Sequence, residues 1–271
     1  MTRLDRAIAE RGLARSRSAA VELIRAGRVR VNDQVVVRAA CTVSLADAIS
    51  VEPDPYVSRA AHKLAGALTD LRLDVTGLRA LDAGASTGGF TQVLLRGGCR
   101  EVIAVDVGHD QLAAELRTDV RVVSHEHLNV RELTRAHVDD RPVDLVVGDL
   151  SFISLTLVLP ALSVVVDPNG YLLLMVKPQF EVGRKRLGEG GVVRDPVLHV
   201  VAVTGVIEAA AELGWVAQAV VPSRLPGPAG NREFFVLFAR TPTATPIDVA
   251  ARVAGGQEGE GDHRPRPTPP A

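Results

Sequence analysis

The chain has 271 residues, of which 46% are hydrophobic and 3% aromatic, and its formal net charge is −1. This length allows about two domains, and the composition favours an α/β core rich in alanine, valine and leucine. The most apolar region, residues 155–176, is interrupted by the turn sequence Asp167-Pro168-Asn169-Gly170. Neither half is long enough to cross a bilayer, so no membrane-spanning segment is predicted.

The two cysteines, Cys41 and Cys99, lie far apart and lack the spacing of a metal site. We therefore expect reduced, buried thiols and no bound metal ion, as is typical of a cytoplasmic protein. Charged residues interrupt the first ten positions, so no signal peptide is predicted and the expected location is the cytoplasm. Nothing in the sequence fixes the oligomeric state, and a monomer is expected.

The first 52 residues form a separate basic module. Residues 1–40 contain nine arginines against four acidic residues, which makes this segment strongly positive. Helical patterns over 4–13 and after Ser16 are followed by the alternating pattern of a strand hairpin that turns at Asn32-Asp33. This order of elements resembles the S4 RNA-binding domain. The resemblance implies a small α+β module with an RNA partner.

Arginine suits phosphate because its planar guanidinium donates two parallel hydrogen bonds, and the amides at a helix N-terminus favour phosphate as well. A solvated basic face without a ligand is the alternative interpretation. The density of arginine and the absence of lysine in the module favour RNA binding. The predicted RNA contacts, which include two arginines of the second domain, are Arg3, Arg6, Arg15, Arg17, Arg59 and Arg184.

A proline-rich linker, residues 53–57, is predicted to connect the module to a second domain over residues 58–242. Strand and helix patterns alternate there, which predicts an α/β class, Rossmann-like domain with a doubly wound, mostly parallel sheet. The predicted strands lie at 78–81, 102–105, 120–123, 145–147, 171–176, 215–221 and 234–238. The predicted helices lie at 58–68, 89–96, 110–117, 154–166 and 200–211. Proline, glycine and charge dominate residues 243–271, so we expect a disordered tail with one short helix around 247–253.

The stretch from Leu81 to Phe90 carries the strongest functional signal. An apolar run ends at Asp82 and passes through a glycine-rich turn, and a second apolar run ends at Asp106. This is the layout of a mononucleotide-binding βαβ unit, in which the glycines let the backbone approach a ligand and the distal carboxylate takes the ribose hydroxyls. No GK[ST] sequence follows, so a phosphate cradle for ATP is not expected.

The D-x-G-x-x-x-G-G form of this turn resembles the cofactor loop of S-adenosylmethionine-dependent methyltransferases. The resemblance implies S-adenosylmethionine as cofactor, with Asp82 near its amino group, Asp106 on its ribose and Asn129 reaching the adenine. A purely structural strand–helix turn is the alternative. The predicted cofactor-binding residues are Asp82, Gly84, Ala85, Ser86, Thr87, Gly88, Gly89, Phe90, Asp106 and Asn129.

Four charged residues are candidates for catalysis. Asp149 and Lys177 follow predicted strands directly, Glu233 opens the last strand, and Lys63 lies in the first helix of the second domain. Each has an ordinary alternative, such as a solvated helix lysine or the cap of a strand. Together, and in this order, they resemble the Lys-Asp-Lys-Glu tetrad of FtsJ-like ribose 2′-O-methyltransferases.

With the S4-like module in front, the chain is similar to the TlyA family over about residues 1–240. That family methylates cytidine 2′-hydroxyls in 16S and 23S ribosomal RNA, so the resemblance implies an enzyme of this activity. It implies Lys177 as the base or alkoxide stabiliser with Lys63 beside it, while Asp149 and Glu233 orient the two ammonium groups. Which lysine accepts the proton stays open.

Other reactions and functions are alternatives to this one. Methylation at carbon 5 of a pyrimidine needs a nucleophilic cysteine, and neither cysteine lies near the predicted site. Amine methylation typically uses a [DN]-P-P-[FY] turn, and the sequence Asp149-Leu150-Ser151-Phe152 lacks both prolines. A non-catalytic RNA-binding or ribosome-assembly factor and a membrane-active haemolysin, a label the family also carries, are the rival functions.

Overall fold

The structure is a computed structural model that describes residues 1–14, 16–25, 27–243 and 245–255. Arg15, a predicted RNA contact, and residues 256–271 of the predicted tail lie outside the described residues. The chain divides into two compact units, residues 1–55 and the residues from Tyr56 onward. None of the helices in the described ranges is both long and apolar enough to cross a membrane.

The first unit packs two helices against short strands. Its core is built from helix residues at three- and four-residue spacing, such as Leu4, Ile8, Ala20 and Ile24. The predicted hairpin turn Asn32-Asp33 is confirmed, and both residues have positive φ as a two-residue hairpin loop requires. The elements are β1 (Thr2–Arg3), α1 (Leu4–Glu10), α2 (Arg17–Arg25), β2 (Val29–Val31), β3 (Gln34–Val35), β4 (Thr42–Val43) and β5 (Ile49–Val51).

The second unit is built on one seven-stranded sheet. Its strands are β6 (Arg79–Ala83), β7 (Glu101–Val105), β8 (Val122–His125), β9 (Val143–Gly148), β10 (Val166–Val176), β11 (Val216–Pro222) and β12 (Phe234–Ala239). The order across the sheet is β11-β12-β10-β9-β6-β7-β8, and β12 runs antiparallel to both neighbours while the other strands run parallel. The prediction of a doubly wound, mostly parallel sheet is confirmed.

Helices cover both faces of this sheet. They are α3 (Ala60–Leu71), α4 (Gly89–Arg96), α5 (Ala114–Arg117), α6 (Leu159–Val165), α7 (Pro178–Glu181), α8 (Pro196–Glu212) and α9 (Val249–Ala254). Side chains of successive strand residues point to opposite faces. In β10, Leu172, Leu174 and Val176 therefore join a buried cluster with α6 and α8, whereas Leu173 and Met175 join a second cluster with α3 and α4.

The short helix predicted around 247–253 is present as α9, and its Val253 is buried in the core cluster that contains α8. The guanidinium of Arg232 donates to the backbone carbonyl of Val253 at 2.9 Å, which fixes the helix to the body of the unit. The expectation for the cysteines was wrong in part, because Cys99 is buried but Cys41 is exposed.

A buried arginine fastens the amino-terminal edge of the sheet. Arg79 is 2% exposed, and its Nε and Nη2 donate to the two carboxylate oxygens of Glu101 at 2.8 and 3.1 Å. Its Nη1 donates to the backbone carbonyls of Val138 and Arg141. The guanidinium thus satisfies a carboxylate and two carbonyl groups at the edge opposite the carboxyl ends of the parallel strands.

Replacing Arg79 by methionine is expected to lower the free energy of unfolding by about 3 kcal/mol, because it leaves a partly buried carboxylate and two carbonyls without their donor. Urea unfolding followed by circular dichroism measures the change. The neighbouring Arg141→Ala is the control, since the Arg141 side chain is 65% exposed and its loss should cost less than about 1 kcal/mol. Equal midpoints for the two variants contradict the assignment.

Candidate active site

Two glycines of the glycine-rich turn lie so close to neighbouring segments that no larger residue would fit. Gly88 has a φ of +92°, and a Cβ there would lie 2.2 Å from the Leu116 side chain. A Cβ on Gly89 would lie 2.2 Å from Ser58 Oγ and 3.1 Å from the Ala61 amide. Only glycine allows this contact. The start of α3 therefore rests directly on the turn, which places the α3 residue Lys63 beside it.

Lys63 and Glu233 form a buried ion pair. The Lys63 Nζ donates to Glu233 Oε2 at 2.5 Å, and the two side chains are 4% and 1% exposed. Lys63 is therefore not a solvated helix lysine. Glu233 reaches it because β12 is antiparallel, so the residue that precedes β12 lies at the same edge of the sheet as the carboxyl ends of the parallel strands.

Lys177 and Asp149 form the second pair. Asp149 follows β9 and Lys177 follows β10, which are adjacent parallel strands, so their side chains meet at the sheet edge. The distance between Lys177 Nζ and Asp149 Oδ1 is 2.6 Å, and the contact is a charge contact rather than an aligned hydrogen bond. Lys177 Nζ also donates to Ser151 Oγ at 2.8 Å.

Both pairs border one cleft of about 270 Å³. Lys63, Lys177, Asp149 and Ser151 line it, and Glu233 lies behind Lys63. Of the predicted cofactor loop, the lining residues are Gly84, Ala85, Ser86, Thr87, Gly89 and Phe90. The structure thus brings all four candidate catalytic residues and most of the predicted loop to one place.

Asp106 supports the glycine-rich turn. Its carboxylate accepts hydrogen bonds from the amides of Ser86 and Gly108, both at 2.8 Å. It also lines a second, small cavity that shares Ala85 and Ser86 with the main cleft. The other walls of that cavity include Ser124 and Glu126, which the sequence analysis missed. Ser124 could have been identified from the sequence, because it lies at the carboxyl end of β8.

Asp82 is fully buried beneath the turn and does not line the cleft. Its Oδ2 accepts hydrogen bonds from the amide and hydroxyl of Thr91 at 2.8 and 2.7 Å. Its Oδ1 has no hydrogen-bond partner within the described part of the chain. Burial raises the pKa of this carboxyl to about 7, although the Thr91 bonds act in the opposite direction.

Asn129 lies away from both cavities. Its side chain accepts a hydrogen bond from the Arg131 amide at 3.0 Å and so caps a single turn of 3₁₀-helix, Val130–Glu132. A cap explains an asparagine at this position without a ligand. The contact of Asn129 with adenine stays a prediction.

The arginines of the first unit are held by acidic neighbours. Asp5 is 1% exposed and accepts hydrogen bonds from Arg3 and Arg17, with Nη2 and Nε each 3.0 Å from its Oδ2. Chiefly the Arg3 hydrogen bond lowers the pKa of Asp5 to about 2. Arg3 and Arg17 nevertheless keep about half of their side-chain surface exposed. Arg6 forms an exposed pair with Glu10.

The two predicted RNA contacts in the second unit, Arg59 and Arg184, differ in their surroundings. Arg59 lines the cleft and donates to the backbone carbonyl of Pro226 at 2.9 Å. Arg184 is exposed on a 3₁₀ turn, Arg184–Arg186, that lies between α7 and α8.

The loop after β9 holds further residues that the sequence analysis missed. Phe152 is 91% exposed with a φ of +64°, and its ring centroid lies 5.3 Å from that of Phe180. Glu181 accepts hydrogen bonds from Ser154 Oγ at 2.5 Å and from the Leu155 amide at 2.9 Å. Burial raises the pKa of Glu181. Carboxylates of this kind are recognised only when two loops are seen together.

Comparisons with known proteins agree with this geometry. The model of the FtsJ-like methyltransferase family matches residues 56–240, and that of the S4 domain matches residues 2–49. The Mycobacterium tuberculosis protein named 16S/23S rRNA (cytidine-2′-O)-methyltransferase TlyA is 52% identical over 244 residues, which are 89% of this chain and 90% of the relative.

Two further relatives carry a different name. Hemolysin A of Brachyspira hyodysenteriae is 36% identical over 237 residues, 87% of this chain and 99% of the relative. The solved structure of a candidate hemolysin from Streptococcus thermophilus has a TM-score of 0.73 and 34% identity, and covers 93% of this chain and 94% of its own. The chain therefore belongs to the TlyA family, FtsJ-like methyltransferases that carry an S4 domain at the N-terminus.

Proposed function

We propose that the chain transfers the methyl group of S-adenosylmethionine to the ribose 2′-hydroxyl of cytidines in 16S and 23S ribosomal RNA. The observation that carries this proposal is the pair of lysine–carboxylate contacts on the wall of the cleft that the glycine-rich turn borders. The activity named for the M. tuberculosis relative supports the choice of substrate. The expected working form is a cytoplasmic monomer.

The residues at the site fit the cofactor. Residues 84–87 of the glycine-rich turn line the cleft, and Asp106 stands at the end of β7. The buried Asp82 has one oxygen without a hydrogen-bond partner among the described residues. Asp82 would attract the amino group from beneath the turn and Asp106 would take the ribose hydroxyls, with the residues 84–90 forming the bed between them. When bound, the cofactor supplies an activated methyl group.

The side chains of the cleft are suited to a ribose hydroxyl, which is a poor nucleophile at neutral pH. They must hold the hydroxyl in line and take up or stabilise its proton. Lys177 is fixed by Asp149 and Ser151, so its remaining N–H can meet the 2′-oxygen. Lys63, fixed by Glu233, adds a second positive charge to the wall and stabilises the developing oxyanion.

The choice of lysine at these positions supports proton chemistry. The chain has 31 basic residues, of which only Lys63, Lys177 and Lys185 are lysines. Two of the three line the cleft. An arginine cannot lose its proton in a protein, whereas a lysine can. In a chain that otherwise uses arginine for positive charge, this favours a role that requires a removable proton.

The RNA is proposed to lie against the arginines of both units. Arg3, Arg6 and Arg17 of the first unit stay exposed while their acidic partners hold them. Arg59 borders the cleft, and Arg184 stands on an exposed basic turn. Arg15 remains a predicted contact from sequence alone.

The direct experiment incubates purified small subunits, large subunits and free ribosomal RNA with labelled S-adenosylmethionine. A blocked 2′-oxygen leaves an alkali-resistant linkage, which is mapped by limited hydrolysis. We expect label at cytidines of both 16S and 23S RNA. Tight RNA binding without transfer of label indicates an assembly factor instead. Dye release from liposomes by micromolar protein, without methyl transfer, indicates a membrane-active haemolysin, the activity for which some relatives are named.

Replacing Lys177 by alanine or by arginine is expected to lower the turnover number at least about 100-fold, because neither side chain can accept a proton there. Calorimetric titration should give a cofactor affinity within a few-fold of the parent value, since the glycine-rich turn is unchanged. Lys185→Ala, on the exposed basic turn, is the control and should keep its turnover number at saturating RNA. Parent-like turnover in Lys177→Arg excludes proton transfer at this position.

Cofactor affinity is expected to rise severalfold between pH 6 and pH 7.5. Burial raises the pKa of Asp82 to about 7, so the carboxyl is mostly protonated at pH 6, and the positive amino group of the cofactor favours the ionised form. Calorimetry without RNA measures this trend. Asp82→Asn should remove most of it. If cofactor affinity in the parent protein depends on pH as little as in Asp82→Asn, the Asp82 carboxylate does not act on the cofactor.

A further inference from the structure

Two loops carry one of the lysine–carboxylate pairs. Residues 149–155 follow β9 and contain Asp149, and residues 177–181 follow β10 and begin with Lys177. Three contacts connect the loops: Lys177 with Ser151, the rings of Phe152 and Phe180, and Glu181 with Ser154 and Leu155. The contacts occur in matching order along the two loops, so they act as successive cross-links.

Glu181 is an unexpected residue for the last of these cross-links. Its carboxylate is largely buried, yet none of the ion pairs found among the described residues includes it. Burying a carboxylate without a cation is costly, and an apolar side chain would fill the same space at lower cost. Unlike an apolar side chain, the carboxylate accepts two hydrogen bonds, one oxygen from Ser154 Oγ and the other from the Leu155 amide.

The loop that Glu181 holds is under strain. Phe152 has a φ of +64°, a left-handed backbone conformation that is strained for a bulky residue. Its ring is 91% exposed, so burial of the ring does not compensate for this strain. The anchors lie on either side of it. Ser151 accepts from Lys177 on one side, and Ser154 and Leu155 donate to Glu181 on the other.

We propose that Glu181 is a positioning residue for the reaction. It holds the loop 149–155 in the strained conformation in which Ser151 and Asp149 meet Lys177 and Phe152 projects outward. This inference rests on the proposed function for its catalytic consequence. Glu181 itself does not line the cleft, so it acts through Ser154 and Leu155 and not on the substrate.

The consequence for catalysis follows from the geometry. Without the carboxylate, Ser154 and the Leu155 amide lose their acceptor, and Phe152 is free to return to negative φ. Ser151 then leaves its position beside Lys177. A displacement of about 1 Å at a reacting group can cost about 100-fold in rate. None of the hydrogen bonds found among the described residues joins Glu181 to the glycine-rich turn, although Leu150 of the held loop lies against Gly84. Loss of Glu181 should therefore lower the turnover number more than it lowers the cofactor affinity.

The test compares Glu181→Ala with Glu181→Gln. Glutamine keeps an oxygen for the Leu155 amide, and its NH₂ can donate to Ser154 Oγ, because a hydroxyl serves as donor or acceptor. We expect Glu181→Ala to lower the turnover number at saturating RNA by about 10- to 100-fold, with a smaller change in cofactor affinity. Glu181→Gln should stay within about threefold of the parent. Ser154→Ala, which removes one of the two bonds, serves if Glu181→Ala does not fold.

A matched control separates positioning from stability. The Asp248 carboxylate accepts from the Ala251 amide at 3.0 Å and caps α9, which does not include either loop. Asp248→Ala removes a hydrogen bond between an exposed carboxylate and a backbone amide and should leave the turnover number unchanged. Parent-like turnover in Glu181→Ala overturns the proposal, and so does an equal loss in Asp248→Ala. A Glu181→Gln variant that is folded but as impaired as Glu181→Ala also overturns it.

Amide hydrogen exchange of the segment 150–157 tests the positioning without any assay of activity. Glu181→Ala should exchange faster there than the parent, and Glu181→Gln should not. If no substrate is methylated by the parent protein, the proposed function fails while this measurement still decides the role of Glu181. Unchanged exchange in Glu181→Ala means that the carboxylate does not hold the loop.

Discussion

The site depends on the need of two largely buried ammonium groups for two carboxylates. Lys63 and Lys177 are 4% and 7% exposed, and a charge removed from water to this extent must be paired. Each lysine accordingly meets its own acid, Glu233 or Asp149. The pairing forces α3, the ends of β9 and β10 and the start of β12 to converge. The cleft is the space that remains between them and the glycine-rich turn.

Much of this arrangement could be predicted because it follows from rules that act locally or along a sheet. Alternating strand and helix patterns gave the order of elements, and parallel strands bring their carboxyl ends to one edge. Asp149 and Lys177 each directly follow an apolar run, so their proximity follows from the adjacency of β9 and β10. The glycine-rich turn was evident from its spacing alone.

Other features depend on contacts between distant segments, which periodicity does not reveal. Glu181 and Ser154 are ordinary polar residues until the two loops lie side by side. Asp82 was predicted beside the cofactor, but its full burial and the bonds from Thr91 depend on how α4 packs on β6. A short helix was predicted around 247–253, but its attachment to the body of the unit depends on the packing of Val253 in the core cluster of α8.

The antiparallel direction of β12 has a consequence for folding of the protein during its synthesis. Lys63 and its partner are 170 positions apart in the chain, and the partner is supplied by the last strand of the sheet. During synthesis the ammonium group of Lys63 therefore lacks its carboxylate partner until residue 233 has left the ribosome. A fragment that stops before residue 233 has to bury this charge alone or leave α3 undocked. This wall of the cleft can therefore assemble only after the start of β12 has been synthesised.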